Sequence, residues 1–236
     1  MQRLFLMVIL SLFISIPTFG LITEEQEKII YLTFDDGPTQ GITENILDTL
    51  KQEDVKATFF VVGREIIQRE PVLKRIHEEG HAFGLHTFTH DYKKVYASPE
   101  SFVKEMEETQ KKINEILNED LDVKVIRFPG GSAGKLNQQY FDAIKKKGYR
   151  IFDWNVNIED GVQPNLPPYK FVENSKICSD NNTTRILLAH CNLNNLNTCK
   201  ALPAIIRYYK EQGYTFDIIT NDTKEYYYKF KDEDLK

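Results

Sequence analysis

Cysteine is scarce in this chain of 236 residues: there are three, Cys178, Cys191 and Cys199, with no Cys-x-x-Cys pair among them. That excludes a zinc-finger framework, which needs clustered thiolates at short spacing, and a disulfide-dense scaffold. An exported chain can pair two of the three and leave one free, and the spacing does not choose the pair. Basic excess is missing as well, with 30 Lys and Arg against 35 Asp and Glu and a net charge of −5. A duplex-DNA binder needs a cationic stripe to displace phosphate counterions, so no nucleic-acid partner is expected. Glycine (12) and proline (9) are ordinary in number and nowhere periodic, which excludes a fibrous repeat. With 41% hydrophobic and 28% charged residues, the composition is that of a globular chain.

One segment has almost no charge. After Arg3, residues 4–16 are apolar but for two serines, Pro17-Thr18-Phe19-Gly20 follows, and the first acid is Glu24. A short cationic start, an apolar stretch and a small residue at position 20 predict a signal peptide over residues 1–20, with cleavage after Gly20. If it is retained, residues 4–22 are just long enough to act as an N-terminal membrane anchor, the sole contact with a membrane that is expected. Residues 21–236 are then expected as one domain on the outer side of that membrane.

From residue 28 onward a unit recurs, a short β-branched or aromatic run followed by a helical segment. The runs predict strands at 29–34, 57–62, 82–86, 125–128, 150–154, 186–190 and 215–219. Helices are predicted at 44–52, 99–117, 137–147, 169–175 and 200–212. The clearest is 99–117, where Phe102, Met106, Ile113, Ile116 and Leu117 recur at helical spacing. Seven strands alternating with helices predict an α/β fold, a parallel sheet with helices outside. Periodicity does not separate an open sheet from a barrel, but in both the functional groups collect at the carboxyl ends of strands. No linker or repeat divides the chain. The Asn-rich stretch 180–198 is expected as two surface loops flanking a strand.

The polar residues fall where that rule puts them. Asp35 and Asp36 end the first strand, His86 and His90 the third, Arg127 the fourth, Trp154 the fifth and His190 the sixth. Two histidines four apart with a carboxylate from elsewhere suit a zinc-like ion with open positions. His-x-x-x-His alone is a weak signal, and Asp-Gly-Pro is also turn chemistry. Both hold together, because a turn can aim two carboxylates into one pocket.

Four motifs carry a resemblance. TFDDGP at 33–38, HTFTH at 86–90, RFP at 127–129 and LLAH at 187–190 are similar, in kind and order, to the motifs of the NodB-type polysaccharide deacetylases, and 201–216 resembles that family's last helix and strand. The likeness spans about residues 28–220. It implies a distorted (β/α)7 barrel with an incomplete ring of strands. It also implies metal-dependent hydrolysis of N-acetyl groups on a glycan. By motif, Asp36, His86 and His90 would hold a divalent metal, usually Zn2+, with Co2+ or another ion as alternatives. Asp35 would be the catalytic base, Arg127 its orienting partner, His190 the catalytic acid and Asp160 the carboxylate paired with that histidine. Such a set makes chemical sense: a metal activates water and polarises the carbonyl, and an acid protonates the leaving amine. A backbone N–H near Gly130 is expected to share the developing oxyanion.

Some positions depart from the family pattern. Many relatives carry an aromatic after the R-x-P proline and another after the aspartate that Asp160 matches; here these are Gly130 and Gly161. The sugar-stacking walls are therefore expected to be lower or rebuilt, with Pro129, Gly130 and Trp154 as substrate contacts. Trp154, the only tryptophan, reads equally as a stacking platform or a core residue. Cys191 stands where relatives place Asp and reads as a buried or disulfide-bonded cysteine. His77 and His81 read as structural or surface, Lys145–Lys147 as a solvated helix end, and Tyr226–Tyr228 as packing of a C-terminal segment. The favoured substrate is peptidoglycan, at its N-acetylglucosamine or N-acetylmuramic acid, acting outside the cell. Chitooligosaccharide deacetylation, acetyl xylan esterase activity and a non-catalytic glycan-binding protein on the same scaffold are the alternatives. An iron oxygenase disagrees with both fold pattern and ligand spacing.

Overall fold

Seven consecutive residues, Ile29–Asp35, form β1, and six of them are buried. A continuous apolar run of this kind belongs in the middle of a parallel sheet, covered on both faces. The computed structural model describes residues 27–230, so the expected signal or anchor over 1–20 lies outside the described residues. Among the described residues, no helix is long and apolar enough to cross a membrane.

β1 is joined by β2 (Thr58–Val61), β3 (Ala82–Leu85), β4 (Val125–Ile126), β5 (Arg150–Ile151), β6 (Val156–Asn157) and β7 (Arg185–His190) in the order β5-β4-β3-β2-β1-β7-β6. All of these pairings are parallel. The eighth strand, β8 (Thr215–Asp217), pairs with Ile29–Tyr31 of β1, below the stretch Thr33–Asp35 that β2 takes. β5 and β6 are the two ends of this order, yet only residues 152–155 lie between them. A flat sheet of seven strands would hold its edges about 29 Å apart. The chain from Ile151 to Val156 reaches about 17 Å at most. The sheet therefore curls until its edges almost meet, and the expected (β/α)7 ring with a gap results. The C-terminal segment fills part of that gap, where Phe152 bridges to Tyr226 and the N–H of Asp153 donates to the Tyr226 carbonyl at 2.6 Å.

The helices are α1 (Ile42–Gln52), α2 (Glu70–Glu78), α3 (Tyr92–Val95), α4 (Pro99–Leu117), α5 (Gln138–Lys146), α6 (Pro168–Asn174) and α7 (Leu196–Glu211), with a 3-10 turn at Gly63–Ile66. α4 has the limits its periodicity predicts. Ser98 caps it by accepting the Ser101 N–H, Pro99 sits at its first position, and Asn118 ends it in the left-handed conformation. Gly80, Gly148 and Gly213 stop the helices before them with φ of 75–76°.

Four expectations need correcting. α1 begins two residues before Glu44, because Glu44 is its third residue and reaches back to accept the Gly41 N–H at 2.6 Å. The strand expected at 150–154 stops at Ile151, and a separate two-residue strand, β6, follows on the far edge. The stretch 180–198 is not loop to its end, since α7 already starts at Leu196. The Lys145–Lys147 run is not simply solvated: Lys145 pairs with Glu225 and Lys147 with Glu107.

Candidate active site

The carboxyl end of β1 delivers two carboxylates in different directions. Asp35 ends the strand, whereas Asp36 takes φ of 72° and turns its side chain away from the strand's alternation. Asp35 is 3% exposed, and its Oδ1 accepts from Arg127 Nη1 at 2.7 Å. Arg127 is fully buried and spends its other donors on Thr33 Oγ1 and on the Phe152 and Asp153 carbonyls. It lies 3.9 Å from the centre of the Phe60 ring. A guanidinium held by four acceptors and an aromatic face cannot swing, so Asp35 Oδ1 is pinned and Oδ2 faces the cavity.

His86 follows β3, and its Nδ1–H donates to the Arg127 carbonyl at 2.9 Å. That bond leaves the Nε2 lone pair free, 3.5 Å from Asp36 Oδ1. Burial pushes the His86 pKa down, against the pull of Asp35, which keeps the ring neutral. His90 Nε2 lies 3.3 Å from the same Asp36 oxygen. Burial raises the Asp36 pKa, but His86, His190, His90 and the amide of Asn192 outweigh it and the net shift is downward. One donor atom from each of Asp36, His86 and His90 lies within 4.8 Å of the others. A neutral imidazole with its far nitrogen tied back, a second imidazole and an ionised carboxylate are the donor set a divalent ion requires, and the residues fit one.

His190, at the end of β7, is the second charged centre. Its Nδ1 bonds Asp160 Oδ1 at 2.8 Å, and its backbone N–H donates to Asp160 Oδ2. Asp160 is fully buried and also accepts from Thr198 Oγ1 at 2.7 Å and from Asn195 Nδ2 at 3.3 Å. Burial pulls the His190 pKa down, but the hydrogen bond and charge of Asp160 more than reverse this and bring it to about 9. A Cβ at Gly161 would collide with the His190 ring, so the bare glycine there makes room for the imidazole.

These groups share one cavity of about 300 Å³, lined among others by Asp35, Asp36, His86, His90, Gly130, Trp154 and His190. Arg127 and Asp160 lie behind it and hold what faces it. Pro129, expected among the substrate contacts, is buried and outside this lining; its carbonyl accepts the Tyr96 hydroxyl at 2.8 Å. Trp154 is half-buried, 5.8 Å from the Arg127 guanidinium, with part of its ring against the core and part on the cavity wall. All three cysteines are free thiols. Cys191 is fully buried under the first turn, its Sγ 3.3 Å from the Asp35 carbonyl. His77 is paired with Glu119 at the surface, and His81 accepts the Ala57 N–H inside the protein.

Residues that carry no motif complete the site. Glu105, on the buried face of α4, accepts the N–H groups of Phe88 and Thr89 in the loop between the two histidines. Its signal was a carboxylate on an otherwise apolar helical stripe. Asn192, Asn195 and Thr198 lie in the Asn-rich stretch, where composition alone suggested loops. Tyr92 lines the cavity beside His90.

Known proteins are similar to this chain in sequence and fold. The family model for polysaccharide deacetylases matches residues 23–152. This chain belongs to the polysaccharide deacetylase family. It is 33% identical over 196 residues to a peptidoglycan-N-acetylglucosamine deacetylase of Bacillus cereus, covering 82% of this chain and 70% of that one. It is 30% identical over 201 residues to the peptidoglycan-N-acetylmuramic acid deacetylase PdaA of Bacillus subtilis, covering 82% and 71%. The crystal structure of the polysaccharide deacetylase Bc1974 of Bacillus cereus superposes with a TM-score of 0.75 at 31% identity, covering 84% of this chain and 95% of that one. The deacetylase is thus an enzyme, a hydrolase of acetylated glycans, on the (β/α)7 fold of its family.

Proposed function

We propose that this deacetylase removes N-acetyl groups from peptidoglycan outside the cell, that residues 1–20 direct its export, and that 21–236 form one catalytic domain. Asp36, His86 and His90 would hold the divalent metal, and two imidazoles with one carboxylate suit Zn2+. When bound, such an ion supplies Lewis acidity for water and for the acetyl carbonyl. Asp35, with Oδ1 pinned by Arg127, takes a proton from the attacking water on Oδ2. The backbone N–H of Gly130, at the cavity wall, donates to the developing oxyanion. His190 delivers the proton that the leaving amine needs from its Nε2, because Asp160 occupies Nδ1. Trp154 contacts the sugar.

The observation that carries this reading is that two buried pairs, Arg127–Asp35 and Asp160–His190, converge on one three-donor cluster. One pair presents a base, the other an acid still protonated at neutral pH. A protein that only bound glycan would have no chemical use for an imidazolium presented to the cavity beside a base. Peptidoglycan is favoured because both relatives named above are peptidoglycan deacetylases and because the N-terminal segment reads as an export signal.

Mass spectrometry tests the proposal. Peptidoglycan fragments, chitooligosaccharides and acetylated xylan are incubated with the zinc-loaded protein. Loss of one acetyl mass from a peptidoglycan sugar is expected, with the fragment ions showing which ring lost it. Acetyl loss confined to chitooligosaccharides or xylan would replace the substrate, and release no greater than from D35N would favour a binding protein.

A further inference from the structure

Tyr92 is the one large aromatic on the rim of this cavity that no motif accounts for. It is 47% exposed, lines the space shared by Asp35, Asp36 and His190, and stands edge-on to His90 with ring centres 5.9 Å apart. Exposing this much of a tyrosine ring sacrifices burial, yet the ring is firmly held. It sits on α3, a single turn capped by Asp91 and anchored by the fully buried Val95. The Tyr96 ring packs against it edge-on at 5.5 Å. Lys135 Nζ lies 5.7 Å from the ring centre while donating to the Gly130 carbonyl at 3.0 Å.

Gly130 and Gly131 explain how it fits. Both have positive φ, 70° and 79°. A Cβ at Gly130 would stand 2.5 Å from the Tyr92 hydroxyl, and a Cβ at Gly131 would stand 2.9 Å from the Trp154 ring. Two consecutive glycines thus each clear the room for one aromatic, and both aromatics line the same cavity. A pyranose ring presents a face of C–H groups that lies well on an aromatic ring, and a pre-ordered platform binds without paying to freeze itself.

We propose that Tyr92 is a substrate-contacting, specificity-determining residue: its ring is a wall on which the acetylated sugar rests, and Gly130 is bare so that the ring can stand there. This rests on the function proposed above. Tyr92 acts on binding and not on the chemical step, so its loss raises KM and leaves kcat nearly unchanged.

The test measures N-acetylglucosamine oligomers and peptidoglycan glycan fragments in two ways, by calorimetric binding in a D35N background and by steady-state turnover in the active protein. Zinc content and melting temperature are recorded for every variant. Y92A should weaken binding and raise KM about tenfold, with kcat within about threefold and zinc retained. Y92F should behave as the parent. G130A should weaken binding when the tyrosine is present and cost less when combined with Y92F, since the phenol oxygen is what a Cβ meets. Equal binding by Y92A and the parent overturns the proposal. So does a fall in kcat without a change in KM, or a loss of zinc, either of which would make Tyr92 a support for His90. Failure of the D35N protein itself to bind any of these sugars would instead overturn the function proposed above, and Tyr92's role with it.

Discussion

The carboxylate of Glu105 accepts both the backbone N–H of Thr89 at 2.6 Å and its hydroxyl at 2.9 Å. Thr89 precedes His90, and both Thr87 and His90 have positive φ, of 68° and 53°. A loop with two non-glycine residues in that region costs of order 1–3 kcal/mol for each unless its surroundings hold it. Glu105, 7% exposed on α4, does the holding. E105A should therefore lower zinc affinity by about 10- to 100-fold, as losses of supporting residues do at metal sites. E105Q should keep most of it, because the amide oxygen can accept the N–H groups while its NH2 donates to the Thr89 hydroxyl. Competition with a chromophoric chelator measures both.

Asp160 sets the protonation of His190. The His190 pKa in the fold, about 9, exceeds the ordinary 6.5, so the pair contributes stability that is complete below about pH 6.5 and is lost as pH rises through 9. In D160N burial is opposed only by the more distant charges of Asp35 and Asp36, and the pKa should fall well below 9. NMR titration of the His190 ring in the metal-free protein checks the sign. The same variant should lose activity at neutral pH, because more of the acid would arrive deprotonated.

Arg127 is a structural commitment as well as an orienting group. Removing it leaves the Asp35 carboxylate buried without its partner, a change that costs about 3–5 kcal/mol in such pairs. R127A should lower stability by about that amount in urea denaturation. R127K should recover part of it, since an ammonium cannot reach Asp35, Thr33 and two carbonyls together.

Neighbouring aspartates should separate cleanly. D35N should reduce turnover by about 10²- to 10⁴-fold, the range for loss of a general base, while zinc content stays at the parent's level. D36N should lose the metal. Parallel metal analysis and acetate release distinguish them, and equal zinc loss in both would contradict the division of labour.

Much of this protein was readable before any coordinate. β1 and β7 are continuous apolar runs because a central parallel strand is buried on both faces, and each ends on the residue that faces the cavity, Asp35 and His190. α4 was readable through its period and its Ser98-Pro99 start. β6 was not, since two residues carry no period. Glu105 was not readable as part of the site, because its partners are 16 and 17 residues away. Pro129 looked like a substrate contact from its place beside Gly130, and only packing put it underneath.

By itself, then, the sequence determined the alternation of strand and helix and the chemical groups at strand ends, because runs, caps and turns depend on neighbours a few residues apart. Tertiary structure decided which of two adjacent carboxylates meets Arg127, 92 residues on, and which joins the histidines. It also decided that Tyr92 stands in the space Gly130 leaves. These are contacts across the curled sheet, made by residues that share no local pattern, and only closing the ring brings them together.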